Sequence, residues 1–144
     1  MLTTPEGNIG LICRSLEKYY DTRAGEMKVK RRPVLIIGCE DDYIRPKNVD
    51  YELVYISTLP NKDPHPTYDY PVLDDFHIEL GLDRPSYIRT HKHTWNHAKF
   101  ITYQDPISDL GREHPELFKE ILNLNTKWME KRNYHSMYCV GFNK

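Results

Sequence analysis

The sequence predicts a mainly β (α+β) fold, a small and strongly curved β-barrel closed by a C-terminal amphipathic helix. Runs of β-branched and apolar residues come first, at residues 32–39, 50–58 and 86–95. A stripe with helical spacing comes last, because apolar residues recur every three or four positions at Leu117, Ile121, Leu124 and Trp128. Short strands followed by one helix favour a sheet that curls around its own core.

The first third of the chain predicts two strands. Residues 9–20 alternate loosely and indicate a first strand or a hairpin arm, and the charged residues 21–30 indicate a loop. The apolar run at residues 32–39 suits a central buried strand. We expect Pro33 near the start of that strand, where its missing N–H does no harm.

The middle of the chain predicts a third strand between two loops. Residues 40–48 are polar and contain a proline, residues 50–58 have the composition of a strand, and the proline-rich residues 59–70 indicate a stiff exposed loop. A short strand is expected at residues 76–80, followed by a turn at residues 81–83.

The last part predicts two strands and the helix. Residues 86–95 are rich in β-forming residues, and residues 98–103 indicate a further short strand. The helix is expected over residues 113–131, with Pro115 in its first turn. Residues 133–144 show no clear period. We therefore divide the chain into a domain of residues 1–132 and an extension of residues 133–144.

The composition excludes several classes of protein. The chain has 144 residues and a formal net charge of −1, which excludes a globally basic nucleic-acid coat and an acidic tail protein. No apolar run is long enough to span a bilayer, and the N-terminus lacks the pattern of a signal peptide. Three widely spaced cysteines without a CxxC motif make a disulfide framework or a cysteine zinc site unexpected. We expect a cytoplasmic protein.

The net charge is close to zero, but basic and acidic residues are concentrated in different segments of the chain. Residues 10–39 carry seven basic and three acidic residues, and residues 84–104 carry four basic residues and no acid. Between them, residues 63–83 carry six acids and neither lysine nor arginine. This pattern predicts either one positive groove or a set of solvated loops of mixed sign.

The order of features resembles the MazF/PemK family of toxin endoribonucleases. The first strand has a glycine near its start, Gly10, and an Arg-Pro pair, Arg32-Pro33, leads an apolar strand. A later strand ends in Ile56-Ser57. A Gly-Leu pair, Gly81-Leu82, is followed by a serine that opens a strand, Ser86. The resemblance implies an SH3-like barrel, a homodimer, a cognate antitoxin protein as partner, and metal-independent cleavage of single-stranded RNA without a cofactor. Family members are often shorter, and they have fewer histidines in the segment that corresponds to residues 89–97.

The resemblance implies that Arg32 and Ser57 are the catalytic residues. RNA cleavage by the neighbouring 2′-OH needs charge stabilisation at phosphorus, and a planar guanidinium matches two phosphate oxygens at once. A surface arginine without a role is the alternative for Arg32, and a strand-end hydroxyl that caps a turn is the alternative for Ser57. Successive strand residues face opposite ways, so Ser57 and Thr58 cannot both face one pocket, and either of them could be the one that does. Arg31 is the adjacent alternative to Arg32, but alternation is expected to point it elsewhere. Arg31 and Thr58 are also candidates for RNA binding.

The segment of residues 89–97 supplies the other candidates for RNA binding. We expect Arg89, His91 and His93 on one strand face, with Lys92 and Trp95 accessible nearby. Surface histidines without a partner are the alternative. No carboxylate or cysteine lies close in the sequence, so the histidines predict no metal site. A non-catalytic SH3-like module that binds RNA or protein is the alternative function.

Overall fold

Six antiparallel strands form one curled, half-barrel sheet in the computed structural model of the chain, which describes residues 4–40 and 48–141. Within these residues the strand order is β4-β5-β3-β2-β1-β6. The strands are β1 (Leu11–Asp21), β2 (Glu26–Cys39), β3 (Asp50–Ser57), β4 (Asp69–Val72), β5 (Ser86–His97) and β6 (Ser108–Asp109). This arrangement confirms the predicted mainly β fold with a C-terminal helix.

Three α-helices accompany the sheet in the described residues: α1 (Phe76–Glu79), α2 (Leu110–Glu113) and α3 (Pro115–Tyr134). The long helix α3 has Pro115 in its first turn, as predicted, since a missing N–H is harmless there, but it begins two residues later and ends three residues later than the predicted range of 113–131. A π-helical stretch, His135–Gly141, continues from it into the predicted extension. Turns of 3-10 helix form at Pro5–Asn8 and Ala98–Phe100. None of the helices that the structure describes is long and apolar enough to cross a membrane.

Alternation along the strands divides the core between the two faces of the sheet. On one face Ile12, Leu35 and Val54 pack beneath Ile121 of α3. On the other face the buried side chains belong to the intervening positions, among them Leu11, Cys13, Val34, Ile36, Tyr51 and Leu53. Residues 34–37 are buried throughout, which confirms the prediction of a central strand buried on both faces.

The predicted exposed loop at residues 59–70 is too long, because β4 begins at Asp69 and buries that residue. Four other local predictions were wrong. Residues 21–30 are not a loop, because β1 and β2 form a long hairpin whose turn occupies only residues 22–25. Pro33 therefore lies in the middle of β2 and pairs with Arg14 of β1. It is tolerated there because β3 pairs with β2 only from Val34 onward, so that no strand within residues 4–40 and 48–141 forms a ladder with Pro33 on that side of β2.

The other two errors concern short apolar runs. Residues 76–80 form the helical turn α1 rather than a strand, entered through Asp75 at a φ of 73°. Residues 98–103 begin with a 3-10 turn and, with the described residues, make a single isolated bridge, between Ser15 and Ile101. Runs of this length do not distinguish a strand from a helical turn by periodicity. Most of the predicted polar segment, residues 41–47, and residues 142–144 lie outside the described part of the chain.

Candidate functional site

A polar pocket of about 330 Å³ lies on the same face of the sheet as Val34 and Leu53. Arg32 precedes Val34 by two residues on β2, and Tyr55 and Ser57 follow Leu53 at intervals of two on β3, so alternation brings all three to this face. Strands β1, β2, β3 and β5 each contribute to the lining, which consists of Glu17, Lys18, Arg32, Tyr55, Ser57, Arg89, Lys92 and His93. Five of these residues were predicted from the sequence: Arg32, Ser57, Arg89, Lys92 and His93.

Arg32 reaches the pocket with hydrogen-bonding capacity to spare. Its Nε is buried and has no hydrogen-bond partner among the residues that the structure describes. Its guanidinium carbon lies 5.8 Å from the centroid of the Tyr19 ring. A buried donor without a partner is costly unless a ligand satisfies it. Arg32 is thus suited to an anionic ligand that accepts from its planar fork.

Glu17 and Tyr55 form a hydrogen-bonded pair that the sequence analysis missed. The Tyr55 hydroxyl donates to Oε2 of Glu17 over 3.3 Å, and the Ser15 hydroxyl donates to Oε1 over 3.0 Å. Burial raises the pKa of Tyr55, and the adjacent Glu17 charge raises it further. The phenol therefore stays neutral and keeps donating to a fixed carboxylate. Since the two residues are 38 positions apart, no local sequence signal could have paired them.

Ser57, not Thr58, faces the pocket. The Ser57 hydroxyl oxygen accepts a hydrogen bond from the Leu59 N–H over 3.2 Å, where Leu59 has a φ of 50°. The hydroxyl thus caps the turn after β3, as one of the two interpretations predicted, and its proton remains for donation into the pocket. Thr58 is exposed on the opposite face, in a second cleft that it shares with Arg31.

Arg89 forms a rigid wall of the pocket. Its Nε and Nη2 donate to the two carboxylate oxygens of Asp69 at 3.0 and 3.4 Å, in a bidentate pair. Burial alone would raise the pKa of Asp69. The hydrogen bonds from Arg89 and from the His65 N–H, together with the Arg89 charge, outweigh burial and lower it. The pair stays charged at neutral pH, so Arg89 is fixed in place.

The prediction that Arg89, His91 and His93 share one face was wrong, because β5 contains a β-bulge between Arg89 and His93. Arg89 pairs with Tyr55 and His93 with Val54, so residues 90–92 are extra on β5. The bulge brings Lys92 into the pocket beside Arg89 and His93. On the opposite side of the sheet the buried Asn125 amide of α3 donates to the Thr90 carbonyl over 2.9 Å, which satisfies a backbone group within the bulge.

His91 is consequently buried beneath α3, at 8% exposure. Its ring lies 5.8 Å from that of Trp128 and 5.7 Å from that of Tyr68, and its Nδ1 is 3.8 Å from Oδ1 of Asp69. Burial lowers the pKa of His91 to about 4, although the Asp69 charge opposes the shift. His91 is therefore a neutral packing residue at pH 7 and does not line the pocket.

The three clustered histidines of the sequence occupy three different environments. His93 lines the pocket, with a buried Nδ1 that has no hydrogen-bond partner in the described residues and with Nε2 3.9 Å from Oε2 of Glu52. The Nδ1 of His97 accepts from the Lys99 N–H over 3.0 Å. Within residues 4–40 and 48–141 no group of three His, Cys, Asp or Glu side chains is placed to hold a metal ion.

Trp95 lies beside the pocket rather than in it. It is 50% exposed and lines an adjoining groove of about 440 Å³ with Val29 and Phe100. Glu17 and Lys18 line both the pocket and this groove, so the two form one continuous surface.

The chain matches no protein-family model, and it matches no curated protein. The function of this chain is therefore inferred from the geometry of its pocket.

Proposed function

We propose that the chain is a metal-independent endoribonuclease that cleaves single-stranded RNA by attack of a 2′-OH on the adjacent phosphorus. The observation that supports this most is the convergence on one pocket of an arginine with a free buried donor, a fixed carboxylate and an imidazole: Arg32, Glu17 and His93. These groups supply the three requirements of the reaction, which are charge stabilisation, a proton acceptor and a proton donor.

Each group has a definite role in the proposed step. Glu17 accepts the proton of the 2′-OH as the 2′-oxygen bonds to phosphorus. Arg32 and Lys92 stabilise the charge that develops on the non-bridging phosphate oxygens, and Ser57 donates a hydrogen bond to one of them. His93 gives a proton to the 5′-oxygen as the bond from phosphorus to that oxygen breaks. The products are a 2′,3′-cyclic phosphate and a 5′-hydroxyl end.

The resemblance to MazF/PemK toxins supports the biological setting of this proposal. By that resemblance the chain acts in the cytoplasm as the toxin of a type II toxin-antitoxin system, works as a homodimer, and is inhibited by a cognate antitoxin protein.

The test is cleavage of end-labelled RNA in EDTA by the wild type and by Arg32→Ala. We expect EDTA to leave cleavage intact, and Arg32→Ala to slow it by about a hundred- to a thousand-fold. Arg32→Lys should restore only part of the rate, because a point charge cannot copy the bidentate fork. Arg23→Ala is the matched control, since Arg23 is exposed in the hairpin turn outside the pocket.

Three outcomes would contradict the proposal. Cleavage that EDTA abolishes would indicate a metal-dependent reaction. Equal cleavage by wild type and Arg32→Ala would remove Arg32 from the mechanism. RNA binding without cleavage would favour the non-catalytic binding module, a function that fits the internal hydrogen bonds already made by Arg89 and Ser57.

A substrate with 2′-deoxyribose at the cleavage site should bind and remain uncut.

A further inference from the structure

A second cleft of about 330 Å³ lies on the opposite face of the sheet from the pocket. Arg14 lies two residues after Ile12 on β1, and Pro33 lies two residues before Leu35 on β2. Side chains at this spacing share a face of the sheet, so Arg14 and Pro33 are on the face against which α3 packs. The lining includes four cations from three segments of the chain: Arg14, Lys30, Arg31 and Arg84.

In the described part of the chain, basic residues outnumber acidic ones in the lining of this cleft. All four cations are exposed, and none of them forms an ion pair within residues 4–40 and 48–141. Asp83 is the single acidic residue in the described lining. Unpaired cations around a concave surface raise the local concentration of anions. The hydroxyl of Thr58 adds a neutral donor to the same wall.

The second cleft and the pocket are lined by neighbouring residues of the same two strands. Arg32 and Arg31 are consecutive on β2 and face the pocket and the second cleft respectively, as do Ser57 and Thr58 at the end of β3. Among the residues that the structure describes, pairing between β2 and β3 begins only at Val34, so no described strand pairs with Arg31 and Arg32 on the β3 side, and we call this stretch the open edge of β2. An extended chain that crosses this open edge passes from one set of cations to the other.

We propose that the second cleft binds phosphates of the RNA strand that flank the scissile phosphate, with the strand crossing the open edge of β2. This inference rests on the proposed function, because it places the scissile phosphate in the pocket beside Arg32. It adds a binding region on the other face of the sheet, which recognises single-stranded RNA by its backbone charge rather than by its bases.

The test compares binding of two uncleavable 2′-O-methyl oligonucleotides, one of about 4 and one of about 12 nucleotides. The variant Arg14→Gln/Arg31→Gln should bind the longer one about tenfold more weakly, with a salt slope that is smaller by about one to two. Its affinity for the shorter one should not change. Lys127→Gln/Lys131→Gln is the control, because it removes the same charge from the exposed part of α3.

Binding to these oligonucleotides does not depend on catalysis, so failure of the proposed reaction and failure of this inference are separate results. With unmodified RNA of the longer length, the Arg14→Gln/Arg31→Gln variant should raise KM and leave kcat unchanged. Equal affinity and salt slope for wild type and variant would overturn the inference. So would the absence of any binding to the longer oligonucleotide, including the case in which the wild type binds only an acidic peptide.

Discussion

The hydroxyl of Tyr55 donates a hydrogen bond to Oε2 of Glu17 over 3.3 Å and so joins β3 to β1 across the intervening strand β2. With Ser15 on the other oxygen, the carboxylate is held by two neutral donors at the pocket wall. A base held in this way needs no reorganisation before it accepts a proton.

We expect Glu17→Gln to lower kcat by about a hundred- to ten-thousand-fold, since the amide keeps the shape of the side chain but cannot accept the 2′-OH proton. Tyr55→Phe is the matched control, because it removes the hydrogen bond and leaves the carboxylate. Tyr55→Phe should lower kcat by about tenfold or less. Single-turnover cleavage assays measure the rates of both variants. Full activity of Glu17→Gln would exclude Glu17 as the base.

Gly10→Ala should destabilise the fold by about 2–4 kcal/mol. Gly10 has a φ of 100°, and an added Cβ would lie 2.8 Å from the Gly111 Cα and 3.0 Å from the Gly111 nitrogen. Both obstacles are backbone atoms that cannot rotate away. Gly7→Ala is the control, since a Cβ at Gly7 meets nothing within 4 Å. Urea denaturation gives both free energies of unfolding, and equal values for the two variants would contradict this account.

Stability should fall as the pH drops from about 6.5 towards 4, because the pKa of His91 is about 4 in the fold and near 6.5 in the unfolded chain. The unfolded state binds the proton more tightly, so the contribution of neutral His91 is complete above pH 6.5 and is lost through that window. The groups that face His91 act with it: Asp69, Arg89, Lys92 and His65. The pKa of Asp69 is lowered, so its own contribution is lost only at still lower pH.

His91→Phe should remove most of that slope, since phenylalanine preserves the ring packing against Trp128 and Tyr68. Urea denaturation at several pH values between 4 and 7.5 measures the effect. His135→Phe, at an exposed position, should keep the wild-type dependence. A His91→Phe variant whose stability falls as steeply as that of the wild type would show that another group carries the dependence.

We expect a homodimer in solution, with twice the chain mass of 17.2 kDa. Tyr20, Met27 and Val29 lie at the hairpin and are each more than half exposed, which is apolar surface of the kind that an interface covers. Size-exclusion chromatography with light scattering measures the mass directly. A monomer at concentrations of tens of micromolar would count against the dimer.

Strand alternation explains most of what the sequence predicts correctly about the site. It separates Arg32 from Arg31 and Ser57 from Thr58, and the structure places each pair on opposite faces. The helical stripe likewise identifies α3, because Ile121 packs against the core at the spacing that the pattern requires. Local periodicity suffices wherever a strand or helix is long and regular.

The errors arise where a residue's surroundings are set by distant parts of the chain. The bulge in β5 reverses the facing of His91, and it is supported by Asn125, which lies 35 residues from its partner Thr90. The pocket carboxylate Glu17 appears on an ordinary charged strand, and only its cross-sheet hydrogen bond to Tyr55 distinguishes it. Neither interaction leaves a signature in neighbouring residues.

The two faces of β2 also determine which changes in chain length the protein can accept. One added residue in the turn at residues 22–25 lengthens only a solvent-exposed connection. One added residue between Arg32 and Val34 leaves the core positions in place but rotates the preceding side chains, so that Arg32 and Arg31 exchange faces. This stretch of β2 therefore tolerates changes of residue type far better than it tolerates a change in the number of its residues.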